Sequence, residues 1–549
     1  MTSVIPIAPR RGRAVLVVVV ALLLTARPGP ASAAELRVGV ARLPAMLDPM
    51  AALTPTDLML VRLVFEGLVA VGDKGEIEPA LASGWTLSRD GLTWTFRLRD
   101  DLRLSTGEAV RTDDVVTALA LRLGVDEPSE PAAAWVRPFR GGGRVVQEVR
   151  RGDGPSSVQI QLSKPYAPLL AVLAHPALAV AVPGKEGAAT LSGTGPFRVT
   201  EATPGHLVLE AVPGSRRIPR SDRLVLEEIA DDTAAFAGLA PGGTLDLWLP
   251  GATPAAVPAG LQVLSGPSWQ LGLLAFRTDQ GLFRQKVARQ AAALALDPAP
   301  IQAALGRSTR PLAAYLPPGA WAARDLPRSF DLGRAKTLLA QLGAVDPALT
   351  LLVPDVPGGP DAARLAEALR ASLVAAGFRP RVRTEPAETA LTVMRRGEAD
   401  LGLVQAELEV DDPHVLLRPL LASDTGTGVS ATNLAFFRSP LVDGMLGRAS
   451  QLGFRPERLR LYQRLQAYLA EEVPYVPLYV RLQWLVARPD VRGIRLEPSG
   501  LHRLEQAWVE APAAPLETVP GAPAMPTVPL LPPLPASPPP PPVSTTPEQ

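Results

Sequence analysis

The stretch WQLGLLAFRTDQGLFRQKVARQAAALALDPAPI, residues 269–301, changes its hydrophobic period part-way along. Residues 271–276 form a continuous apolar run of strand length, whereas Phe283, Val287, Ala291 and Leu294 recur at the spacing that lines one face of a helix. Asp279 and Gly281 suit the turn between them, and Arg284, Lys286, Arg289 and Gln290 occupy the polar face. Asp297 followed by Pro298 supplies a stop. The run passes from strand to helix.

The rest of the chain sets the scale. It has 549 residues, 47% hydrophobic and 20% charged, enough to bury large cores and divide into two or three domains. A net charge of +1, with no basic run interleaved with aromatics, gives no reason to expect nucleic acid as a partner. Cysteine is absent, which excludes disulfides, Cys-ligated zinc, thiol catalysis and a lipid-modified cysteine at a mature N-terminus. Arg10, Arg11 and Arg13 precede an apolar core at 14–24 that is too short to cross a bilayer, and Ala31, Ser32 and Ala33 then fit a small-residue cleavage site. This predicts a signal peptide over 1–33 cleaved near Ala33, Sec export and a periplasmic protein that is not a lipoprotein. No later stretch reaches the roughly 18 apolar residues of a membrane helix.

Residues 35–40 alternate as a strand. Farther on, Trp94, Phe96 and Leu98 alternate with polar partners after the Asp90 Gly91 turn, which predicts a half-buried hairpin strand with its aromatics in a core. Gly141 to Gly143 read as a flexible turn, without the helix pattern that a phosphate-binding loop requires. In the turn at 192–197, Gly193 and Gly195 permit positive φ and Pro196 fixes the exit. Residues 349–353, 365–376, 379–384, 388–396 and 399–405 read as strand, helix, strand, helix, strand, which implies a parallel sheet with right-handed crossovers. Ligands of such sheets bind past the strand C-terminal ends, which directs attention to Glu407, Glu409, Asp411, Asp412 and His414. Three side chains on one loop, in a chain with four histidines, are too few to predict a metal, and Asp412 with Pro413 reads as a helix start.

Several of these segments, in this order, resemble the extracellular solute-binding proteins of family 5, the oligopeptide-, dipeptide- and nickel-binding group of ABC importers. Phe276, Arg277 and Thr278 stand where the family has Phe-Asn-Thr, and residues 286–291, KVARQA, resemble its Arg-Val-Arg-Gln-Ala helix. Pro79, Leu81, Ala82 and Trp85, then DGLTWTFRLR at 90–99, resemble the family's Pro-x-Leu-Ala-x-x-Trp and Asp-Gly hairpin. Residues 192–197, SGTGPF, resemble its Gly-Thr-Gly-Pro turn, and 458–477, RLRLYQRLQAYLAEEVPYVP, its closing helix.

The resemblance implies an α/β, periplasmic-binding-protein-like (type II) two-lobe fold with an additional small α/β domain and a hinge between lobes. Lobe I is expected at 34–60, 190–270 and 486–510, the extra domain at 61–189 and lobe II at 271–485, with a disordered Pro-rich tail at 511–549. It also implies a monomeric substrate-binding component that captures a peptide or similar small solute and delivers it to an ABC permease. In peptide-binding relatives an aspartate at the position of Glu409 holds the peptide's α-amino group. The candidate contacts are therefore Glu409 for an amine, Trp269 for apolar packing, Arg277 for a carboxylate, and Asp411. No Gly-x-Ser-x-Gly elbow, His-Glu-x-x-His or P-loop occurs, so no catalytic residue, cofactor or metal is expected. A non-transporting sensor or partner-binding module on the same fold is the alternative.

Overall fold

The structure is a computed structural model that describes residues 34–52, 54–125, 145–184, 191–327, 329–343, 347–423 and 433–510. The expected signal peptide, the glycine turn at 141–143 and the Pro-rich tail lie outside the described residues.

Eleven strands form one sheet among the described residues. In chain order they are β1 (Glu35–Val40), β2 (Phe197–Thr203), β3 (His206–Ala211), β4 (Arg223–Glu228), β5 (Leu247–Leu249), β6 (Gln262–Phe276), β7 (Thr309–Pro311), β8 (Ala348–Asp355), β9 (Arg379–Pro386), β10 (Leu401–Glu407) and β11 (Tyr475–Ala487). Their order across the sheet is β2-β3-β4-β1-β5-β11-β6-β10-β8-β9, with β7 on β11. β8 runs parallel to β9 and β10, as the strand and helix alternation requires.

The two longest strands join the halves of the molecule. β6 begins as a partner of 482–487 and ends as a partner of 475–480, and its register slips between Pro267 and Leu271. Leu264 and Leu485 belong to a core with Leu36, Val38, Phe197 and Leu224 on one side. Leu274, Phe276 and Leu478 belong to a core with Phe283, Leu351 and Phe378 on the other. Each fully buried Leu or Phe contributes roughly 1.5–3 kcal/mol of transfer free energy, so each core holds its own half firmly. The apolar run at 271–276 is thus only the second half of a much longer strand.

The helix expected after it is Lys286–Ala295, and its buried Ala288, Ala291, Ala292 and Ala295 face the sheet. Asp297 does more than stop it: its carboxylate accepts from the Ala299 N–H and caps a second helix, Pro298–Leu305. A separate four-stranded antiparallel sheet, ordered Ala82–Leu87, Thr93–Leu98, Ser157–Leu162, Val146–Arg151, lies outside the large one. Trp94, Phe96 and Leu98 are buried in its core with Val115, Leu119 and Ile160, as their alternation predicts.

Gly193 and Gly195 correct one expectation, since neither adopts positive φ. A Cβ on Gly193 would lie 2.1 Å from the Val64 carbonyl oxygen, and one on Gly195 would lie 2.5 Å from that of Leu63. Close approach to the end of the helix Pro55–Val64, rather than turn geometry, requires glycine at both positions.

Candidate functional site

Past the C-terminal end of β10 the chain reads Glu407, Leu408, Glu409, Val410, Asp411, Asp412, an alternation with a structural cause. Leu408 is buried in the core of the β8–β10 half, and Val410 in the core of the small sheet. The two apolar anchors stitch the segment between cores and leave Glu407, Glu409 and Asp411 only partly buried. Asp412 turns inward. Its carboxylate accepts from the His414 N–H at 3.0 Å, capping the helix Pro413–Leu421, and from Arg458 Nη2 at 2.7 Å.

The three outward acids form no ion pair among the described residues, although Arg481 acts on Glu407 and Arg455 on Asp411. Glu407 accepts one hydrogen bond, from Gln270 Nε2 at 3.2 Å. Burial raises its carboxyl above the usual 4.5, against the pull of Gln270 and Arg481. Burial and then the neighbouring Glu407 push Glu409 up to about 8. Among the described residues Glu409 makes no ion pair and no side-chain hydrogen bond. Burial pushes Asp411 to about 6 despite Arg455, and its buried Oδ1 has no partner among the described residues. Desolvated acids with so little compensation are costly when ionised, and a cation would relieve them.

Trp269 stands beside this segment. Its backbone N–H donates to the Pro498 carbonyl at 2.9 Å and its carbonyl accepts from the Leu408 N–H at 3.1 Å. The indole packs against the core of the β8–β10 half, with Nε1 buried and unpartnered among the described residues. Arg277 does not join the others. It lies seven positions beyond Gln270 along an extended strand, on the order of 20 Å away. There its Nε donates to Asp279 Oδ1 at 3.1 Å and its guanidinium covers the Phe436 ring at 5.1 Å. The strand carries Trp269 and Arg277, both candidate contacts, apart. Nor do Asp411, Asp412 and His414 converge, and among the described residues no three His, Asp or Glu side chains are placed to hold a metal.

A cavity of about 340 Å³ opens beside Glu407, at the low end of the roughly 300–1,000 Å³ typical of small-molecule sites. Its walls come from both halves and from the joining strands: Met59, Thr253, Gln270, Glu407, Arg481 and His502. No motif announces Arg481 or His502, because the cavity gathers residues more than 400 positions apart in the chain, from Met59 to His502. The halves also meet directly. Arg307 Nη1 donates to the Ala255 carbonyl at 2.6 Å, and the Ala167 N–H of the small domain donates to the Ser450 carbonyl at 2.6 Å.

The profile described as Bacterial extracellular solute-binding proteins, family 5 Middle, matches residues 76–428. The chain belongs to this family. Heme-binding protein A of Haemophilus influenzae is 27% identical over 463 residues, covering 77% of this chain and 83% of that protein. Glutathione-binding protein GsiB of Escherichia coli K12 is 24% identical over 482 residues, covering 84% of this chain and 92% of its own. The structure of HbpA2 from Haemophilus parasuis superposes with a TM-score of 0.75 at 21% identity, over 87% of this chain and all of that one. The fold is that of the type II periplasmic binding proteins, and the role is periplasmic solute binding for an ABC importer. Members of the family are binding proteins rather than enzymes. No described helix is long and apolar enough to cross a membrane.

Proposed function

We propose that the solute is a short peptide or a similar small cationic or zwitterionic compound, held between the halves with its ammonium against Glu409 and Glu407. The single observation that carries this reading is Glu407, a desolvated acid in the wall of the cavity, with the raised acid Glu409 beside it. A carboxylate in such a place attracts an ammonium far better than one in open water. Trp269 offers an apolar flank and Asp411 a further acid for a basic side chain. Arg277, tied to Asp279, is assigned to the architecture of its own half. The chain acts as a monomer without catalysis, cofactor or metal. It is exported on a leader cleaved near Ala33 and passes its solute to a membrane permease.

Closure couples to binding because the solute touches both halves only when they are together, so its differential affinity favours that state. The relative named for glutathione supports a peptide-sized guest. A thermal-shift screen of the full chain with di- and tripeptides, linear amines, sugars and metal chelates tests the reading. Peptides and amines are expected to raise Tm, and Glu407→Gln with Glu409→Gln to abolish the rise. A rise with neutral sugars alone would overturn it.

A further inference from the structure

Residues 356–359, Val-Pro-Gly-Gly, turn the chain out of β8 toward the helix Ala362–Ala376. The Gly359 N–H donates to the Val356 carbonyl at 2.9 Å, which closes the turn, and Gly358 has a φ of +68°, a conformation that glycine adopts without strain. The turn reaches out of its own half. A Cβ on Gly358 would lie 3.4 Å from the Ala252 Cβ and 3.4 Å from the Gly251 carbonyl oxygen, in the loop that follows β5 in the other half. Arg481 holds the turn there, its Nη2 donating to the Gly358 carbonyl at 2.8 Å. The backbone of Arg481 is fixed in β11, opposite Thr309 of β7 and with its carbonyl accepting from Ser268 Oγ at 3.1 Å, so only the side chain is free to change partner. Arg481, Gly251 and Ala252 line the cavity together with Glu407. Arg481 makes no ion pair among the described residues, yet its charge already pulls on the Glu407 carboxyl, which accepts from Gln270 Nε2 at 3.2 Å.

One guanidinium thus has two acceptors within one cavity, the carbonyl of a turn that bridges the halves and a carboxylate. A guanidinium prefers a carboxylate, which it grips with two parallel N–H groups, to a lone carbonyl. We infer that Arg481 is the link between solute and closure: an ionised, unoccupied Glu407 draws Arg481 off Gly358 and frees the turn 356–359 from Gly251 and Ala252, whereas a cation on Glu407 returns Arg481 to Gly358 and latches the halves together. The inference rests on the reading of Glu407 as the solute's acid and adds to it the residue that reports its occupancy. An arginine beside a cation-binding acid weakens the site by competition unless another acceptor holds it, and Gly358 is that acceptor.

The absence of cysteine allows spin labels at Ile218→Cys and Val374→Cys, exposed positions of the two halves, in the otherwise intact full chain. Pulsed dipolar spectroscopy at pH 8.5 then reads the closed-to-open ratio without solute and with 1,5-diaminopentane, whose amines are charged at that pH. In the empty chain Glu407→Gln is expected to raise the ratio about tenfold, the worth of a hydrogen bond to a charged group. Arg481→Met and Gly358→Ala, whose Cβ would lie 3.1 Å from Arg481 Nη2, are each expected to hold it at or below the wild-type value even with the diamine. Glu407→Gln combined with Arg481→Met behaves as Arg481→Met alone, since the acid acts through the arginine. Arg481→Lys, which keeps a charge and a donor, recovers part of the response. A rise in Glu407→Gln that persists in the double variant overturns the inference, as does an empty-state ratio that Glu407→Gln leaves unchanged. A diamine that leaves the wild type open while the empty variants behave as stated contradicts the solute reading and leaves the latch standing. Should Arg481→Met not fold, Gly358→Ala with and without Glu407→Gln decides in the same way.

Discussion

Burial lifts the Glu409 carboxyl to about 8 and that of Asp411 to about 6, from ordinary values of 4.5 and 3.8. Across that interval the folded, empty protein holds protons that the unfolded chain has released, so its stability falls as pH rises from about 4.5 to about 8. Melting curves from pH 5 to 9 are expected to show this fall, and Glu409→Gln to flatten it. A cationic solute works in the opposite sense. It needs the carboxylates ionised, so its affinity rises with pH over the same interval and binding expels protons. Calorimetry in two buffers of different ionisation enthalpy reads that release directly, and equal heats in the two would contradict it. Asp412 makes a different prediction. It is 3% exposed, caps a helix and neutralises Arg458, itself 6% exposed. Asp412→Ala leaves a buried guanidinium uncompensated and is expected to cost about 3–5 kcal/mol of unfolding free energy by urea titration.

Among the elements, β6 and β11 determine how the halves relate, and Gly272 is the tightest point between them. A Cβ there would lie 2.1 Å from Cε1 of Tyr479, whose side chain is 1% exposed. Gly272→Ala is expected to destabilise by about 1–3 kcal/mol through overpacking, measured by chemical denaturation, with Gly272→Ala and Tyr479→Leu together recovering part of the loss. Element by element, the chain was most legible where a single period persisted. The strand-to-helix change at 269–301, the alternation of Trp94, Phe96 and Leu98, and the parallel β8, β9 and β10 all follow from local spacing. Glu407, Glu409 and Asp411 were picked out by a different rule, that ligands bind past strand C-terminal ends, which needs only the strand Leu401–Glu407. Long-range demands were not legible. Gly193 and Gly195 answer to a helix some 130 residues away in sequence, at Val64. His502 and Arg481 acquire their meaning only when β11 and the returning C-terminal segment close the cavity. Arg277, given as a carboxylate contact, lies at the far end of β6 from Trp269, where it is held by Asp279.

At the scale of the molecule, the central claim is that a solute occupies the space between the halves and is bound by both. Segments from opposite halves already touch there, through Arg307 with Ala255 and Ala167 with Ser450. Val410 adds an apolar contact, buried in the core of the small sheet, and the Tyr166 ring meets His414 edge-on at 5.6 Å, so the contact between the halves is partly apolar and the solute's own contacts add to it. Hydrogen exchange of the full chain, with and without a saturating pool of dipeptides and tripeptides, tests the claim most directly. Slowed exchange is expected in four places at once: near Leu249 to Thr253, at Ser268 to Gln270, at Gln405 to Asp411, and from Arg481 to Trp484. Slowing confined to one half, or no change at any of these segments, would contradict it.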